Sequence, residues 1–303
     1  MGGVAARGGL TDDLPMTDQL PRLSIVLPAR NEAAALRALL PALRSHQPEA
    51  EIIVVDDGST DDTAEVCAAA GVRRVVHPYG MGNGAAIKSG ARAARGTTLC
   101  FMDADGQHDP TDIARLLDVL GQGFHMVVGA RSRAGQANAW RGFANGFYNR
   151  FASWMTGRRV HDLTSGFRVV EAARFREFLH LLPNGFSYPT TITMAFLRSG
   201  LGVTWEPIEV GKRVGTSHLN PLRDGARFLL IIFKIGTLFS PLKVFLPFSL
   251  LFLLAGLGLY AFTFATEHRF TNMGGLLLSN AFLTFLMGLV SEQITALMYR
   301  DRN

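Results

Sequence analysis

The stretch Glu51-Ile-Ile-Val-Val-Asp-Asp-Gly-Ser-Thr60 shows how the chain folds. The β-branched residues at 52–55 predict a buried strand, because branched side chains pack well on a pleated surface. An acidic pair ends this strand, and glycine with two hydroxyl residues predicts a turn that leads into a helix at 63–70. A strand followed directly by a helix is the repeating unit of an α/β protein.

The side chains of this turn have two different predicted roles. Ser59 or Thr60 is a candidate N-cap of the helix, and Asp61 and Asp62 suit its first turn. Capping accounts for these residues without any ligand. Asp57 is predicted instead to face a cleft, where it could hydrogen-bond a base or a ribose.

The same alternation continues on both sides of this unit. Further strands are predicted at 23–27, 72–76, 98–102 and 125–128, and further helices at 32–44, 84–94 and 112–120. Apolar strands that alternate with helices predict an α/β fold, Rossmann-like, with a mainly parallel sheet covered on both faces.

Four polar clusters follow predicted strands, at 28–32, 56–60, 103–107 and 129–131. Ligands of such sheets bind just beyond the carboxyl ends of the strands, so these clusters mark one candidate site. Within it, Asp103-Ala-Asp105 places two carboxylates in a small volume. Paired carboxylates suit Mg²⁺ or Mn²⁺ held together with substrate phosphates, where the ion would neutralise a departing diphosphate.

The glycine-rich run at 80–84 is not a phosphate-binding P-loop, because Lys88 follows isoleucine rather than glycine. It is interpreted as a turn that opens a helix, with Lys88 as a candidate phosphate contact.

Two long apolar stretches, Val244 to Thr266 and Met273 to Met298, can each cross a hydrocarbon core of about 30 Å. Their short connector predicts a hairpin, and flanking lysine and arginine residues favour cytoplasmic outer ends. Two buried helices of a soluble core are the alternative. Glu292 and Gln293 lie within the second stretch, where they could contact lipid phosphates or face a neighbouring helix.

The segment 218–240 joins the two parts and places Arg223, Arg227 and Lys234 at helical spacing opposite leucine and phenylalanine. This pattern predicts a basic amphipathic helix in the membrane interface, with an ordinary surface helix as the alternative. Residues 1–20 are predicted to be a disordered tail without the apolar region of a signal peptide.

The composition adds limits on function. A net charge of +5 suits anionic partners such as nucleotides or phospholipid headgroups, whereas a nucleic-acid role has only this charge in its favour. The two cysteines, Cys67 and Cys100, are too few for a disulfide framework and are predicted to be buried thiols.

The segments 23–32, 55–60, 103–108 and 164–168 together resemble family 2 glycosyltransferases, in particular the dolichol-phosphate mannose synthase and polyprenyl-phosphate branch. The resemblance covers roughly 21–245 and sets a catalytic domain at 21–217. It implies a GT-A fold, a divalent metal and inverting transfer of a hexose from a UDP- or GDP-linked donor to a polyprenyl phosphate.

The resemblance also assigns residues. The nucleotide would be lined by Pro28, Arg30, Glu32, Asp57, Asp103 and Ala104, and the metal would be held by Asp105 and Gln107. Arg131 would bind phosphate, and Arg141 would bind the acceptor phosphate. A donor-phosphate contact falls on Lys212 or Arg213, and the sequence does not choose between them.

The chain departs from the family pattern at Gly106, where leucine is common, and in the short segment between Arg131 and Arg141. The resemblance implies an enzyme of the inner membrane with a cytoplasmic catalytic domain, and it is compatible with a homo-oligomer. Transfer to a lipid hydroxyl and a non-catalytic membrane scaffold are the alternatives. The sequence leaves the sugar, the nucleotide and the lipid length open.

Overall fold

A computed structural model describes residues 22–131, 139–185, 187–211, 233–234 and 236–300. The predicted tail, Lys212, Arg213 and most of the predicted interfacial helix lie outside these ranges. Of that helix, Phe233, Lys234 and residues 236–239 are described, and they are helical.

The catalytic part alternates strands and helices as predicted. Its first half consists of β1 (Leu23–Ala29), α1 (Ala33–His46), β2 (Glu51–Asp56), α2 (Thr63–Ala69), β3 (Arg73–Val76), α3 (Asn83–Ala93), β4 (Thr98–Phe101), α4 (Asp112–Leu120) and β5 (Met126–Arg131). All nine agree with the predicted elements to within three residues at each end. The second half, for which no elements were predicted, consists of α5 (Ala139–Thr156), β6 (Arg168–Glu171), α6 (Ala172–Glu177), α7 (Tyr188–Arg198) and β7 (Val203–Ile208).

The described strands form one sheet in the order β3-β2-β1-β4-β6-β5-β7. Six strands run parallel, and β6 runs antiparallel to both of its neighbours, with Arg168 opposite Phe101 of β4 and Val128 of β5. The carboxyl ends of β1, β2, β4 and β5 therefore meet the beginning of β6 at one edge. The predicted mainly parallel sheet is confirmed.

The two faces of the sheet pack against separate layers of helices. Val26, Val55 and Phe101 belong to one buried cluster, whereas Leu27 and Val54 belong to the other. Neighbouring strand residues point to opposite faces, so both clusters draw on the same strands. Cys67 and Cys100 are buried free thiols, as predicted.

The C-terminal part is a hairpin of two long helices, α8 (Pro241–Glu267) and α9 (Asn272–Arg300). Both helices are long and apolar enough to cross a membrane, judged by length and composition. Only 11% and 17% of their most apolar windows are buried, which is the reverse of a core helix in a soluble protein. The helices approach closely at Gly256, which faces Leu278, and at Gly288, which faces Phe245.

The hairpin is joined to the catalytic part by hydrogen bonds and, among the described residues, by the ion pair of Arg198 with Glu292. Lys243 Nζ donates to the carbonyl oxygens of Trp154 (3.2 Å) and Met155 (2.9 Å) at the end of α5. Glu292 Oε2 accepts from the Leu242 amide at 3.2 Å. Of the two predicted environments for Glu292, the structure therefore shows the one in which it faces neighbouring helices.

Candidate active site

The loops after β1 and β2 are joined by hydrogen bonds of Asn31. Its amide donates to Ser59 Oγ at 3.0 Å, and its side-chain oxygen accepts from the Thr60 amide at 2.8 Å. Asn31 has a positive φ of 56°, a conformation that asparagine tolerates better than most residues. Pro28 is a half-buried residue of β1, and Glu32 immediately precedes α1. Both lie at the edge where the site was predicted.

The predicted capping of α2 is wrong. The helix begins at Thr63, and its N-cap residue, Asp62, makes no side-chain cap hydrogen bond. Ser59 and Thr60, the predicted caps, are hydrogen-bonded to Asn31 instead. Asp61 bridges the two helix starts, since its carboxylate accepts from the Ala33 amide at 3.0 Å and from Thr63 Oγ1 at 2.6 Å.

Asp57 is buried and holds the loop that follows β3. Its carboxylate oxygens accept from the amides of Met81 and Gly82, both at 2.8 Å, and Oδ1 lies 2.7 Å from His77 Nδ1. Burial alone would raise the pKa of Asp57, but the hydrogen bonds from His77 and the two amides outweigh it and lower that pKa. His77 Nε2 in turn lies 2.8 Å from Ser89 Oγ on α3. The contact of Asp57 with a base or ribose stays a prediction.

Two glycines let this loop pack closely. Gly58 has φ +73°, and a Cβ there would lie 2.8 Å from the Tyr79 carbonyl carbon. A Cβ on Gly80 would lie 2.5 Å from a guanidinium nitrogen of Arg30. Arg30, at the end of β1, therefore reaches across β2 to the loop after β3, and it lies beside the loop that Asp57 organises.

Lys88 lies on α3 but is committed to another segment. Its Nζ donates to Asn184 Oδ1 at 2.6 Å and to the Leu182 carbonyl at 3.1 Å. Burial, with a smaller effect of Arg92, lowers the pKa of Lys88. These bonds tie α3 to residues 182–184, and the predicted phosphate contact would have to compete with them.

The loop after β4 carries the paired carboxylates. The Asp103 side chain is 40% exposed, whereas Asp105 is buried and accepts from the Gln107 amide at 3.2 Å. Ala104 between them is also buried. Gln107 Nε2 donates to the Gly211 carbonyl at 3.2 Å, so the loop is attached to the segment that follows β7.

His108 is a site residue to which the sequence assigned no role. Its imidazole is buried, stacks on Phe167 with ring centroids 4.9 Å apart, and lies 3.9 Å from the Asp103 carboxylate through Nε2. Burial lowers its pKa, which favours the neutral imidazole. The only signal was its position at the end of the Asp103–His108 motif.

The donor atoms of this loop fit a hard divalent cation. No group of three or more histidine, cysteine, aspartate or glutamate side chains in the described ranges could hold a metal by itself. Asp103 and Asp105 nevertheless offer carboxylate oxygens at the open edge of the sheet. Mg²⁺ commonly takes one or two carboxylates and completes its shell with water and substrate phosphates, which matches this set.

Arg131, at the end of β5, is locked by Asp162. Its Nε and Nη2 donate to the two Asp162 oxygens at 2.9 and 3.1 Å, and Nη2 also donates to Thr164 Oγ1 at 2.6 Å. Burial alone would raise the pKa of Asp162, but Arg131 outweighs it and the pKa is lowered. Arg141 falls in the first turn of α5, and its side chain lies outside the described part of the structure.

Arg168 is fully buried at the beginning of β6. Its guanidinium donates to the carbonyl oxygens of Ser165 and Pro189 and to Thr193 Oγ1, and it lies 5.7 Å from the Tyr188 ring centroid. Sequence reasoning found the 164–168 motif but not this role. The guanidinium ties the loop before β6 to the start of α7, directly behind Asp103.

Comparisons with known proteins agree with this geometry. Residues 24–179, more than half of the chain, match the model of glycosyl transferase family 2. Residues 240–297 match the GtrB C-terminal hairpin. A solved relative, glucosyl-3-phosphoglycerate synthase of Mycobacterium tuberculosis in complex with Mn²⁺, UDP and glucosyl-3-phosphoglycerate, has a TM-score of 0.57 at 22% identity. The match covers 71% of this chain and 79% of that one, and it shows the shared GT-A fold.

Three curated relatives are similar in sequence. Glycosyltransferase AglJ of Haloferax volcanii is 28% identical over 78% of each chain. Polyprenol monophosphomannose synthase of Mycolicibacterium smegmatis is 28% identical over 75% of this chain and 91% of its own. Undecaprenyl-phosphate 4-deoxy-4-formamido-L-arabinose transferase of Pseudomonas paraeruginosa is 35% identical, and this chain spans about half of its length (55%).

The family match confirms the resemblance drawn from the motifs at 23–32, 55–60, 103–108 and 164–168. The two apolar helices and the hairpin match indicate a membrane protein. The chain belongs to glycosyl transferase family 2, and it is a glycosyltransferase with a GT-A catalytic domain and a C-terminal hairpin of the GtrB type.

Proposed function

We propose that the enzyme transfers a hexose, with inversion, from a UDP- or GDP-linked donor to a polyprenyl phosphate. One observation carries this proposal: the Asp103–Asp105 loop and Arg131 lie at the same edge of the sheet, in a domain attached to an apolar hairpin. The names of the relatives from M. smegmatis and P. paraeruginosa support a polyprenyl or undecaprenyl phosphate acceptor.

The donor half of the proposed site lies at the ends of β1, β2 and β4. Pro28, Arg30 and Glu32 would face the nucleotide, with Asp103 and Ala104 beside the diphosphate. Asp57 would line the nucleotide site as well, and it holds the loop at 77–82 in a fixed shape. Lys88 and either Lys212 or Arg213 are the proposed cationic contacts of the donor phosphates.

Asp105 and Gln107 would hold Mg²⁺ or Mn²⁺ together with the donor diphosphate. When bound, such an ion neutralises charge that develops on the leaving nucleoside diphosphate. One contact supports this role for Gln107: its amide nitrogen donates to Gly211, and its amide oxygen accepts no hydrogen bond from the described residues.

The acceptor half lies at the ends of β5 and α5. Arg131 would bind the polyprenyl phosphate, and its rigid pairing with Asp162 presents the guanidinium in one orientation. Arg141 is proposed as the second phosphate contact. Holding the two phosphates in line supplies most of what this reaction needs from the protein.

The acceptor needs no strong base. A phosphate monoester has a second pKa of about 6, so at neutral pH an acceptor oxygen already carries the charge needed for attack. That oxygen forms the new bond to the anomeric carbon, while the bond from this carbon to the donor diphosphate breaks. The products are a polyprenyl-phosphate sugar and a nucleoside diphosphate.

The hairpin gives the site its proposed location. We place the hairpin in the inner membrane with both outer ends and the catalytic domain in the cytoplasm, where nucleotide-sugars are made. This places the acceptor half of the cleft near the lipid phosphate.

The test is transfer from radiolabelled UDP- and GDP-sugars to undecaprenyl phosphate in detergent with Mn²⁺, followed by organic extraction. Label is expected in the organic phase with one donor, and none after chelation of the metal or in Asp105→Ala. A circular dichroism spectrum of the variant controls for folding. If label appears only when diacylglycerol or ceramide is supplied, the acceptor is a lipid hydroxyl and not a polyprenyl phosphate.

A further inference from the structure

The end of α5 presents a basic and aromatic surface beside the hairpin. We infer that this surface, formed by Arg150, Trp154, Arg158 and Arg159, binds the anionic phospholipid headgroups that surround α8 and α9. We call it the α5 headgroup surface. The inference rests on the hairpin lying in a bilayer and not on the identity of the sugar or the acceptor.

The contacts of Lys243 place this surface at the level of the headgroups. Lys243 Nζ donates to the carbonyl oxygens of Trp154 and Met155 and lies 5.9 Å from the indole centroid, so the end of α5 is fixed to the start of α8. The first large apolar side chain of α8 that is markedly exposed is Leu246, at 47%. Leu246 follows Lys243 by three residues, which is a rise of about 5 Å along the helix axis. Trp154 is therefore held beside the first turn of α8, where the apolar band begins.

The side chains have the chemistry of a membrane interface. Trp154 is 49% exposed although it is among the largest apolar residues of the domain. Tryptophan is enriched at the boundary between hydrocarbon and water, where the ring is covered and the indole N–H stays hydrated. Arg150 and Arg158 lie four residues before and after Trp154, so Arg150 shares its side of α5.

The charges of the surface have no carboxylate partner among the described residues. Arg150, Arg158 and Arg159 are exposed, and none of them forms an ion pair with a carboxylate among the described residues. The sequence contains no aspartate or glutamate between residues 139 and 161. Clusters of basic residues beside a membrane segment are attracted to anionic lipids, and the attraction fades within a Debye length. Because the hairpin places a bilayer next to this cluster, anionic headgroups are the partner that its charge and position fit.

The test uses the full chain in vesicles and measures the position of residue 154 relative to the bilayer, not the rate of sugar transfer. A Trp154→Cys variant offers one accessible thiol, because Cys67 and Cys100 are buried and burial raises the pKa of both thiols. The thiol is labelled with an environment-sensitive fluorophore, and quenching by lipids with a nitroxide near the headgroup is measured. Gln122→Cys is the matched control, because Gln122 is exposed in the loop before β5. This loop lies at the edge of the sheet opposite the carboxyl ends of β1, β2, β4 and β5.

We expect the probe at 154 to be quenched at least threefold more strongly than the probe at 122. We also expect stronger quenching in vesicles that contain phosphatidylglycerol than in phosphatidylcholine alone. Replacing Arg158 and Arg159 together by Gln should remove that difference between lipids. Equal quenching at 154 and 122 would overturn the placement. Quenching at 154 that ignores both lipid charge and the two arginines would overturn headgroup binding in favour of simple apolar insertion.

Discussion

Arg198 Nη2 lies 3.6 Å from Glu292 Oε1, and this ion pair joins the last residue of α7 to α9 of the hairpin. At the other end of α7, the Tyr188 hydroxyl donates to the Gly166 carbonyl at 3.3 Å, next to Asp103. Residues 188–197 between these contacts are buried throughout. The helix is thus a rigid connection between the hairpin and the loop behind the carboxylates.

Glu292→Gln tests this connection. The amide still accepts from the Leu242 N–H but loses the charge that pairs with Arg198, so the effect isolates the ion pair. Because both side chains are about a third exposed, we expect a loss of roughly 0.5 kcal/mol in unfolding free energy. Transfer to long-chain polyprenyl phosphate should fall severalfold. The charge-swapped double variant Arg198→Glu/Glu292→Arg should recover part of both losses in a double-mutant cycle, and strictly additive losses would contradict the coupling.

Gly58→Ala should destabilise the loops after β2 and β3 by more than the cost of its left-handed backbone conformation alone. Gly58 and Gly71 both have positive φ, at 73° and 61°, but a Cβ on Gly71 meets nothing within 4 Å. Gly71→Ala is therefore the matched control, with an expected cost of about 1–2 kcal/mol from the left-handed conformation. Gly58→Ala adds the collision with Tyr79 and should also weaken nucleotide binding. Calorimetric titration with UDP and GDP and thermal unfolding measure both effects, and equal behaviour of the two variants would refute the role of the contact.

Asp57→Asn should weaken nucleotide binding. The variant removes the negative charge that accepts hydrogen bonds from the amides of Met81 and Gly82 and pairs with His77. Hydrogen bonds to a charged group contribute about 1.5–3 kcal/mol each to stability. We expect the donor KM to rise about tenfold while kcat changes less. Asp62→Asn serves as the control, because its ion pair with Arg37 is largely exposed and should matter little. A fall in kcat alone would indicate that Asp57 acts on the chemical step.

The Arg131–Asp162 pair predicts how stability depends on pH. The pKa of Asp162 is lowered in the folded state, so its contribution is present above the ordinary value of about 3.9 and is lost as pH falls through the folded pKa. Asp162→Asn should cost about 2 kcal/mol at pH 7, since Arg131 is one-third exposed, and should flatten the decline of the melting temperature between about pH 5 and pH 3.

Asp112→Asn is the control for that profile. Burial raises the pKa of Asp112, so its ionisation opposes folding and its removal should not flatten the acid decline. An unchanged acid profile in Asp162→Asn would show that other carboxylates govern the decline.

The first half of the fold could be predicted because β-branched and apolar runs alternate there with helical stretches, and polar clusters follow several of the strands. Apolar periodicity reports burial, which is why β1 and β2 were predicted closely. The apolar pattern does not show whether a strand runs parallel or antiparallel to its neighbours. β6 has only four residues, and its antiparallel placement depends on its partners in β4 and β5.

The site was predicted as a set of positions rather than as a set of contacts. Strand-end carboxylates indicated Asp57 and Asp105, but the pattern did not reveal that Asp57 turns inward to amides 24 and 25 residues away. Lys88 reaches a partner 96 residues along the chain, and Arg131 reaches one 31 residues along. Such partners are set by the tertiary fold, which no local spacing encodes.

The antiparallel direction of β6 has a consequence for how acceptor preference can vary. Because β5 ends and β6 begins at the same edge, the excursion at 132–167 leaves the sheet and returns to it beside its point of departure. Its two ends are fixed by Arg131 and Arg168, whereas most residues of the proposed donor half follow β1, β2 and β4. A longer or shorter excursion could be grafted between these two anchors without altering the register of any strand. The architecture thus separates the evolution of the proposed acceptor half from that of the proposed donor half, and chimeras exchanged at these two arginines are the natural way to exploit it.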